Sequence, residues 1–280
     1  MTSALENVNS NSSTGKNHGE LFLVGAGPGS VDLITCRGAE VLANAQVVLA
    51  DGLVSEEFRS LASADVKWIN VSKRADDAVI TQKEIIDIMI TEVRAGYCVV
   101  RLKGGDVGIF ARTGEELYSL REAGIEVSII PGVTAASAAA AAASFSLTHR
   151  DFSSLITIVT GNDKFDKFPP LEDFVNRKGT LVIYMGLRRV ADIFNALIAK
   201  NYSLMTPLVV VENALSKNER ILYGALGDLE ELVIKNNVMS PAVIILGDVV
   251  KLSQGWSLEN TDSFNLIKPS DNLKQEFLSQ

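Results

Sequence analysis

Two glycine-rich segments each follow a short apolar run, the position at which α/β proteins place their ligand-binding loops. Residues 21–24 lead into GAGPG at 25–29, and the run at 99–102 is followed by GGD at 104–106. Glycine allows close backbone approach to a ligand and positive φ angles, and ligands of open α/β sheets bind beyond the carboxyl ends of the strands. These two loops are therefore the first candidates for a binding site.

The first loop matches the dinucleotide-binding fingerprint GxGxxG only in part. Ser30 stands at the third glycine position, and Pro28 lacks a backbone N–H of the kind that pyrophosphate binding uses. Asp51 follows a second apolar run, where an NAD-dependent enzyme would carry its ribose-binding carboxylate. A nicotinamide-dependent oxidoreductase and a purely structural turn are both alternatives on these residues alone.

Basic residues recur beside the loops that follow strands. Arg112, with Glu115 close by, comes after the GGD loop, and basic or His-Arg pairs stand at 73–74, 149–150 and 188–189. Any one of them is typical of a solvated surface charge, but their recurrence in a chain of net charge −8 favours an anionic ligand. Arginine suits such a ligand because its guanidinium binds a carboxylate through two parallel hydrogen bonds.

The overall composition is that of an ordinary globular chain. It has 280 residues, of which 47% are hydrophobic and 21% charged, and at roughly 150 residues per domain this predicts about two domains. No apolar run reaches the length of about 18 residues that a membrane span needs, and a net charge of −8 argues against nucleic-acid binding. Cys36 and Cys98 lack metal-ligand spacing, so we expect two core thiols and a cytoplasmic location.

Strand and helix patterns alternate along the chain and predict an α/β fold. Thr81 with Glu84 forms a capping-box pattern that opens a helix ending near Gly96, and Thr113 with Glu116 repeats the pattern. Several strands are apolar throughout, which is typical of a parallel sheet covered on both faces. The predicted units are a disordered tail at 1–20, α/β domains at 21–137 and 138–252, and a tail at 253–280; residues 135–143 form an alanine-rich helix.

Eight segments, in this order, resemble the tetrapyrrole methyltransferases, and within them the branch that acts on uroporphyrinogen III. They are LVGAGPGSVDLIT (23–35), ADGLVS (50–55), KGGDVGIFARTGEE (103–116), PGVTAASAAAA (131–141), LTHRD (147–151), TLVIYMG (180–186), VVENA (210–214) and SPAVIILGDVV (240–250). Together they are far more specific than any single loop. The LTHRD and YMG segments favour the uroporphyrinogen branch over its relatives.

The resemblance implies two α/β domains of the tetrapyrrole methyltransferase type, with S-adenosylmethionine in the inter-domain cleft, and a homodimer. The implied reaction methylates uroporphyrinogen III at C2 and C7 to give precorrin-2, a precursor of sirohaem, cobalamin or haem d1. The chain is expected to lack the dehydrogenase-ferrochelatase half of bifunctional sirohaem synthases. The cofactor contacts of the family fall on Pro28, Gly104, Gly105, Asp106, Ile109, Thr134, Ala135, Met185, Ala214 and Ala242.

The substrate contacts of the family fall on Arg112, Arg150 and Met185, and its catalytic positions on Arg112 and Glu115. Glu115 is the candidate base. Its place in the first turn of a helix lowers its pKa through the helix dipole, whereas burial would raise that pKa.

Several positions depart from the family pattern. Gly52 replaces an arginine of the D-R-LV segment, Val107 replaces the proline of GGDP, and Asn162 stands where TGH is usual. Ala111 and Thr113 replace common glycines. None of these positions carries an assigned cofactor contact, so the departures concern the substrate. A methyltransferase acting on a later precorrin and a non-catalytic tetrapyrrole- or cofactor-binding protein therefore stand as alternatives.

Overall fold

A computed structural model describes residues 19–72, 80–162 and 178–256. The basic pair at 73–74 and most of the two predicted tails lie outside these residues. Within them the chain forms two five-stranded sheets with helices, which confirms the predicted α/β class.

The first sheet is entirely parallel and has the order β3-β2-β4-β1-β5. Its strands are β1 (Leu21–Gly25), β2 (Val47–Ala50), β3 (Lys67–Asn70), β4 (Val99–Lys103) and β5 (Ser128–Ile130). Strands β2 and β4 are buried at every residue, as expected for a sheet covered on both faces. Because β1 lies between β4 and β5, the loops after these three strands emerge side by side.

Four helices belong to this half of the chain: α1 (Cys36–Ala43), α2 (Gln82–Arg94), α3 (Thr113–Glu122) and α4 (Ala135–Ala142). Short 3-10 turns cover Val31–Leu33 and Glu56–Leu61. The capping box of Thr81 and Glu84 at α2 is confirmed. The capping box predicted for α3 is wrong.

At α3, Arg112 is the N-cap residue, in the left-handed region at φ 56°, and its side chain makes no capping hydrogen bond. The Thr113 hydroxyl donates instead to the Val107 carbonyl oxygen at 2.5 Å. The Glu116 carboxylate accepts hydrogen bonds from Arg101 and Lys103. Thr113 and Glu116, which the local pattern pairs with each other, therefore form their hydrogen bonds with residues outside the helix.

The second sheet is mixed and has the order β6-β7-β10-β8-β9. Its strands are β6 (Ile156–Thr160), β7 (Thr180–Tyr184), β8 (Pro207–Glu212), β9 (Arg220–Ala225) and β10 (Ala242–Leu246). Strand β10 runs antiparallel to both β7 and β8, while β6 and β7 are parallel. The helices are α5 (Val190–Ala199) and α6 (Leu229–Lys235), with 3-10 turns at Leu187–Arg189, Leu226–Asp228 and Asp248–Leu252.

Helix α4 packs on the second sheet. Ala136 and Ala139 belong to one core cluster with Val182 of β7 and Val211 of β8. Alanine side chains permit this close approach. The predicted domain division at residue 137 stays a prediction, and α4 as a whole is the element through which the chain passes from one sheet to the other.

The prediction of two core thiols is wrong for Cys36. This residue begins α1 and is exposed. Cys98 lies just before β4 and is half-buried, and burial raises the pKa of its thiol. The backbone N–H of Cys98 donates to the Gln46 side chain at 2.9 Å, so Cys98 is held just before β4 by its backbone and not by its thiol.

The loops after β1, β4 and β5 cross so closely that only glycine fits at Gly132. A Cβ there would lie 2.4 Å from the Gly105 carbonyl oxygen and 2.8 Å from the Gly25 carbonyl carbon, both backbone atoms.

We expect Gly132→Ala to lower the free energy of unfolding by about 1–3 kcal/mol or more, measured by urea denaturation. Gly114→Ala is the control. An added Cβ meets nothing within 4 Å there, and alanine should stabilise α3 by up to about 1 kcal/mol. Equal effects of the two changes would contradict the close crossing.

Candidate functional site

The GAGPG and GGD loops are held together by their own backbones. The Gly27 N–H donates to the Gly105 carbonyl oxygen at 3.1 Å, and the Gly105 N–H donates to the Gly27 carbonyl oxygen at 3.0 Å. Both glycines have positive φ angles, 76° and 72°. Because these amides bind each other, they are not directed at a pyrophosphate, and the geometry argues against the dinucleotide alternative.

Asp106 joins the GGD loop to the loop after β5. Its carboxylate accepts a hydrogen bond from the Gly108 N–H at 2.8 Å and from the Gly132 N–H at 2.9 Å. One side chain thus fixes two of the predicted cofactor loops. Gly105 leaves open space beside its backbone, since a Cβ there would come no closer than 4.0 Å to another atom.

Asp106→Ala is expected to weaken S-adenosylhomocysteine binding about tenfold or more. The change leaves two backbone donors without their charged acceptor, which costs about 1–3 kcal/mol and lets both loops move. Isothermal titration calorimetry measures the affinity, and Asp65→Ala, in a turn before β3, is the control with an expected change below about twofold. Unchanged affinity of Asp106→Ala would contradict this role.

Loops of the second sheet reach the same place. Gly29 approaches the loop after β8 so closely that a Cβ would lie 2.6 Å from the carbonyl oxygens of Ala214 and Leu215. Ala242, at the start of β10, pairs with Glu212 at the end of β8. The structure therefore brings Pro28, beside Gly29, to the loop that contains Ala214. Ala242 begins the strand that pairs with the end of β8, just before that loop.

Met185 follows β7 in a left-handed conformation at φ 54°, with half of its surface exposed. Two further apolar side chains, Ile109 and Phe110, are also exposed on the loop that follows the GGD segment. The Phe110 ring stands edge-on to the ring of Tyr184 at 5.5 Å, which links that loop to the end of β7. These exposed apolar groups at the junction of the two sheets suit a ligand with an apolar or aromatic part.

The Tyr184 hydroxyl is a site feature that sequence analysis missed. It accepts a hydrogen bond from the Ala136 N–H at 2.7 Å and shares one of 2.5 Å with the Thr134 hydroxyl. It thereby joins β7 to the segment that contains Thr134 and Ala135. The only sequence signal was its position beside Met185 in the TLVIYMG segment.

Arg112 and Glu115 form a bidentate pair on the first turn of α3. The Arg112 Nε and Nη2 donate to the two Glu115 carboxylate oxygens at 2.9 and 2.7 Å. Both side chains are more than half exposed. The hydrogen bond from Arg112 holds the pKa of Glu115 below its ordinary value and raises the pKa of Arg112 in turn. Glu115 is more than half exposed, and the slight burial that raises its pKa is outweighed by this hydrogen bond.

Arg150 lies apart from this pair. It occupies an exposed turn between His149 and Ser153, whose backbones form an isolated bridge. Across the described ranges 19–72, 80–162 and 178–256, Arg150 makes no hydrogen bond to another predicted site residue. Its predicted role in substrate binding rests on the resemblance alone.

A buried charge cluster lies beneath the GGD loop. The Lys103 ammonium donates to Glu116 Oε2 at 2.6 Å, and Arg101 Nε donates to Glu116 Oε1 at 3.2 Å. All three side chains are at most 3% exposed. Arg101 also pairs with the partly exposed Asp51. Burial lowers the pKa of Lys103, while the Glu116 carboxylate acts in the opposite direction. The cluster joins the end of β4 to α3.

Neither a metal-binding cluster nor a membrane-spanning helix is found in the described part of the chain. No three His, Cys, Asp or Glu side chains there are grouped so that they could hold a metal ion. None of the helices described is both long and apolar enough to cross a membrane.

Comparison with known proteins places the chain in a family. The model of the tetrapyrrole (corrin/porphyrin) methylases matches residues 20–230, more than half of the chain. The chain belongs to this family. Siroheme synthase from Salmonella typhi is 43% identical over 234 residues, which are 84% of this chain and 51% of that protein. Siroheme synthase from Hahella chejuensis is 41% identical over 238 residues, 85% and 51% of the two chains. The chain spans about half the length of these curated relatives.

Two solved methylase structures share the fold over most of their length. Uroporphyrin-III C-methyltransferase from Thermus thermophilus, in complex with S-adenosyl homocysteine, is 35% identical with a TM-score of 0.73, covering 84% of this chain and 94% of that one. A cobalt precorrin-4 methyltransferase of cobalamin biosynthesis is 29% identical with a TM-score of 0.76, covering 85% and 99%. These similarities confirm the predicted two-sheet methylase fold. The roles assigned to single residues stay predictions.

Proposed function

We propose that this methylase transfers methyl groups from S-adenosylmethionine to C2 and C7 of uroporphyrinogen III and yields precorrin-2. The observation that carries the proposal is the convergence of the predicted cofactor loops of both sheets, with Gly29 against Ala214 and Tyr184 against the start of α4. The 35% identity to a uroporphyrin-III C-methyltransferase supports this substrate. A homodimer and a cytoplasmic location are kept as predictions.

The residues at the junction fit S-adenosylmethionine, which when bound supplies an electrophilic methyl group on a sulfonium sulfur. Gly105 would present backbone to the ligand, because an added Cβ there would come no closer than 4.0 Å to another atom. Gly104 is needed beside it because a Cβ at that position would lie 2.7 Å from the Leu53 Cβ. Ile109 and Met185, both exposed, would flank its apolar parts. Thr134 and Ala135 would face the ligand from the start of α4. Asp106 holds the loop that leads to them, through its hydrogen bond from the Gly132 N–H.

Arginine supplies the attraction for the substrate. Uroporphyrinogen carries eight carboxylates, so a protein of net charge −8 needs local guanidinium groups to bind it. Arg112 is exposed and already holds one carboxylate, that of Glu115, in bidentate geometry. A substrate carboxylate would replace Glu115 on this guanidinium, and Arg150 would contact another edge of the macrocycle.

The same exchange prepares Glu115 to accept a proton. Its pKa is low while Arg112 donates to it, so release from Arg112 moves that pKa back towards the ordinary carboxyl range. During transfer, a pyrrole carbon would form a bond to the methyl carbon with its own electron pair. The bond between the methyl carbon and sulfur would break, and its electron pair would stay on sulfur. Loss of one proton from the macrocycle then restores its neutrality, and Glu115 is the proposed acceptor.

Anaerobic incubation with uroporphyrinogen III and S-adenosylmethionine, followed by oxidation and mass spectrometry, tests the proposal. We expect a product that has gained two methyl groups. A gain of one would contradict the second transfer. If no methyl group is gained while S-adenosylhomocysteine still binds, the proposed substrate is wrong and the proposed cofactor stands.

A later precorrin is the second candidate substrate. It is favoured by Gly52, where the family carries an arginine, and by the TM-score of 0.76 to the cobalt precorrin-4 methyltransferase. A Cβ at Gly52 would lie 2.9 Å from the Ser72 Cβ, so an arginine there would need Ser72 to move. The same mass measurement with isolated precorrins separates the two candidates.

A further inference from the structure

Helix α4 makes no capping hydrogen bond with its own side chains. Its sequence is AASAAAAA, and its N-cap residue, Thr134, makes no side-chain capping hydrogen bond within the helix. A helix of eight residues is marginal in water, and its first N–H and last C=O groups need partners from outside the helix. Backbone N–H groups of the following turn bond the Ala140 and Ala141 carbonyl oxygens. Beyond these bonds, a tyrosine hydroxyl of the second sheet bonds the backbone at each end of the helix.

At the N-terminal end the partner is Tyr184 of β7. Its hydroxyl accepts from the Ala136 N–H at 2.7 Å and pairs with the Thr134 hydroxyl at 2.5 Å. The phenol oxygen thus takes the place that an N-cap side chain normally fills. Burial raises the pKa of Tyr184 above its ordinary value, against the opposing effect of the Thr134 hydrogen bond, so the phenol keeps its proton at neutral pH.

At the C-terminal end the partners are Tyr223 of β9 and Ser253. The Ser253 hydroxyl donates to the Ala143 carbonyl oxygen at 2.5 Å, and the Tyr223 hydroxyl donates to the same oxygen at 3.3 Å. This end lies at the opposite terminus from Thr134 and Ala135. The two tyrosines therefore hold the same helix at opposite ends, and only one of them touches the proposed site.

We propose that Tyr184 is a positioning residue that fixes the first turn of α4, and with it Thr134 and Ala135, in the geometry that receives S-adenosylmethionine. The inference rests on the proposed cofactor. Without the phenol, the buried Ala136 N–H loses its acceptor, and the Thr134 hydroxyl becomes free to turn inward and cap the helix itself. The first change loosens the first turn of α4, and the second moves the Thr134 hydroxyl away from its present position beside β7.

The test compares Tyr184→Phe with Tyr223→Phe in the full chain. Both changes remove one phenol oxygen that bonds α4, and both keep the aromatic ring. Tyr184→Phe is expected to weaken S-adenosylhomocysteine binding about tenfold, because a buried donor is left unpaired, and to raise KM for S-adenosylmethionine while KM for the tetrapyrrole stays within about twofold. Tyr223→Phe should leave both constants within about twofold, since Ser253 still bonds Ala143.

A double-variant cycle keeps the test independent of general stability. Thr134→Val removes the other hydroxyl of the pair, and we expect its effect on affinity to be strongly non-additive with that of Tyr184→Phe. Additive effects, equal losses in the two tyrosine variants, or unchanged affinity of Tyr184→Phe would each overturn the inference. Absence of binding by the wild-type protein would instead overturn the proposed cofactor, and this inference with it.

Discussion

Glu116→Ala is expected to lower the free energy of unfolding by about 3–5 kcal/mol, a large part of the stability of an ordinary domain. Glu116 is fully buried and is the carboxylate shared by Lys103 and Arg101. Removing it leaves two buried cations, of which Lys103 loses the one carboxylate it contacts among the described residues. Arg101 keeps Asp51. Urea denaturation followed by circular dichroism measures the change.

Glu115→Ala is the matched control, one position earlier on the same helix. Its side chain is 56% exposed and pairs with an exposed arginine, and such surface pairs contribute less than about 1 kcal/mol. Adding Lys103→Met to the Glu116→Ala variant removes one of the stranded charges and should recover part of the loss. A loss below about 1 kcal/mol for Glu116→Ala would show that the cluster does not stabilise the fold.

Arg112→Ala is expected to reduce turnover about 100-fold or more while S-adenosylhomocysteine affinity stays within about twofold. A bidentate bond to a substrate carboxylate is worth about 1.5–3 kcal/mol, and the upper part of that range corresponds to about 100-fold in rate. The Arg112 guanidinium donates to Glu115, and no hydrogen bond joins it to a predicted cofactor residue within the described ranges. Steady-state kinetics and calorimetry on the same preparation measure the two effects.

Two further variants define the role of the Arg112 side chain. Arg112→Lys keeps the charge without the planar fork, so we expect turnover between those of wild type and Arg112→Ala. Arg121→Ala, in the last turn of α3, removes an arginine from the same helix and should leave turnover within about twofold. Near-normal turnover of Arg112→Ala would show that Arg112 does not bind a substrate carboxylate. Loss of S-adenosylhomocysteine binding would show that Arg112 belongs to the cofactor site instead.

The loops of the site were predictable because their signals are local. An apolar run followed by glycines predicts a strand and its loop, and the GAGPG and GGD segments indeed pair with each other through Gly27 and Gly105. The α2 capping box is also local, since Thr81 and Glu84 are three residues apart. For such features, short-range chemistry and the fold agree.

The features that sequence analysis missed depend on distant partners. Tyr184 bonds Thr134 and Ala136, which are 50 and 48 positions away. Glu116 bonds Arg101 and Lys103 across the helix–sheet packing, and this overrides the capping box that its spacing from Thr113 predicts. Strand β9 was missed because its sequence, RILYGA, has only three large apolar residues in a row between a charged residue and two small ones. None of these pairings has a fixed spacing that one sequence can show.

The strand order of the second sheet sets when the site can be completed during synthesis. The first sheet uses only residues 21–130, so it can form as soon as these have left the ribosome. In the second sheet β10 lies between β7 and β8, which cannot be joined until residues 242–246 arrive. Tyr184 at the end of β7 and Ala214 just beyond β8 therefore stay unconnected until then. A nascent chain can complete its first sheet well before it can bind a ligand between the two sheets.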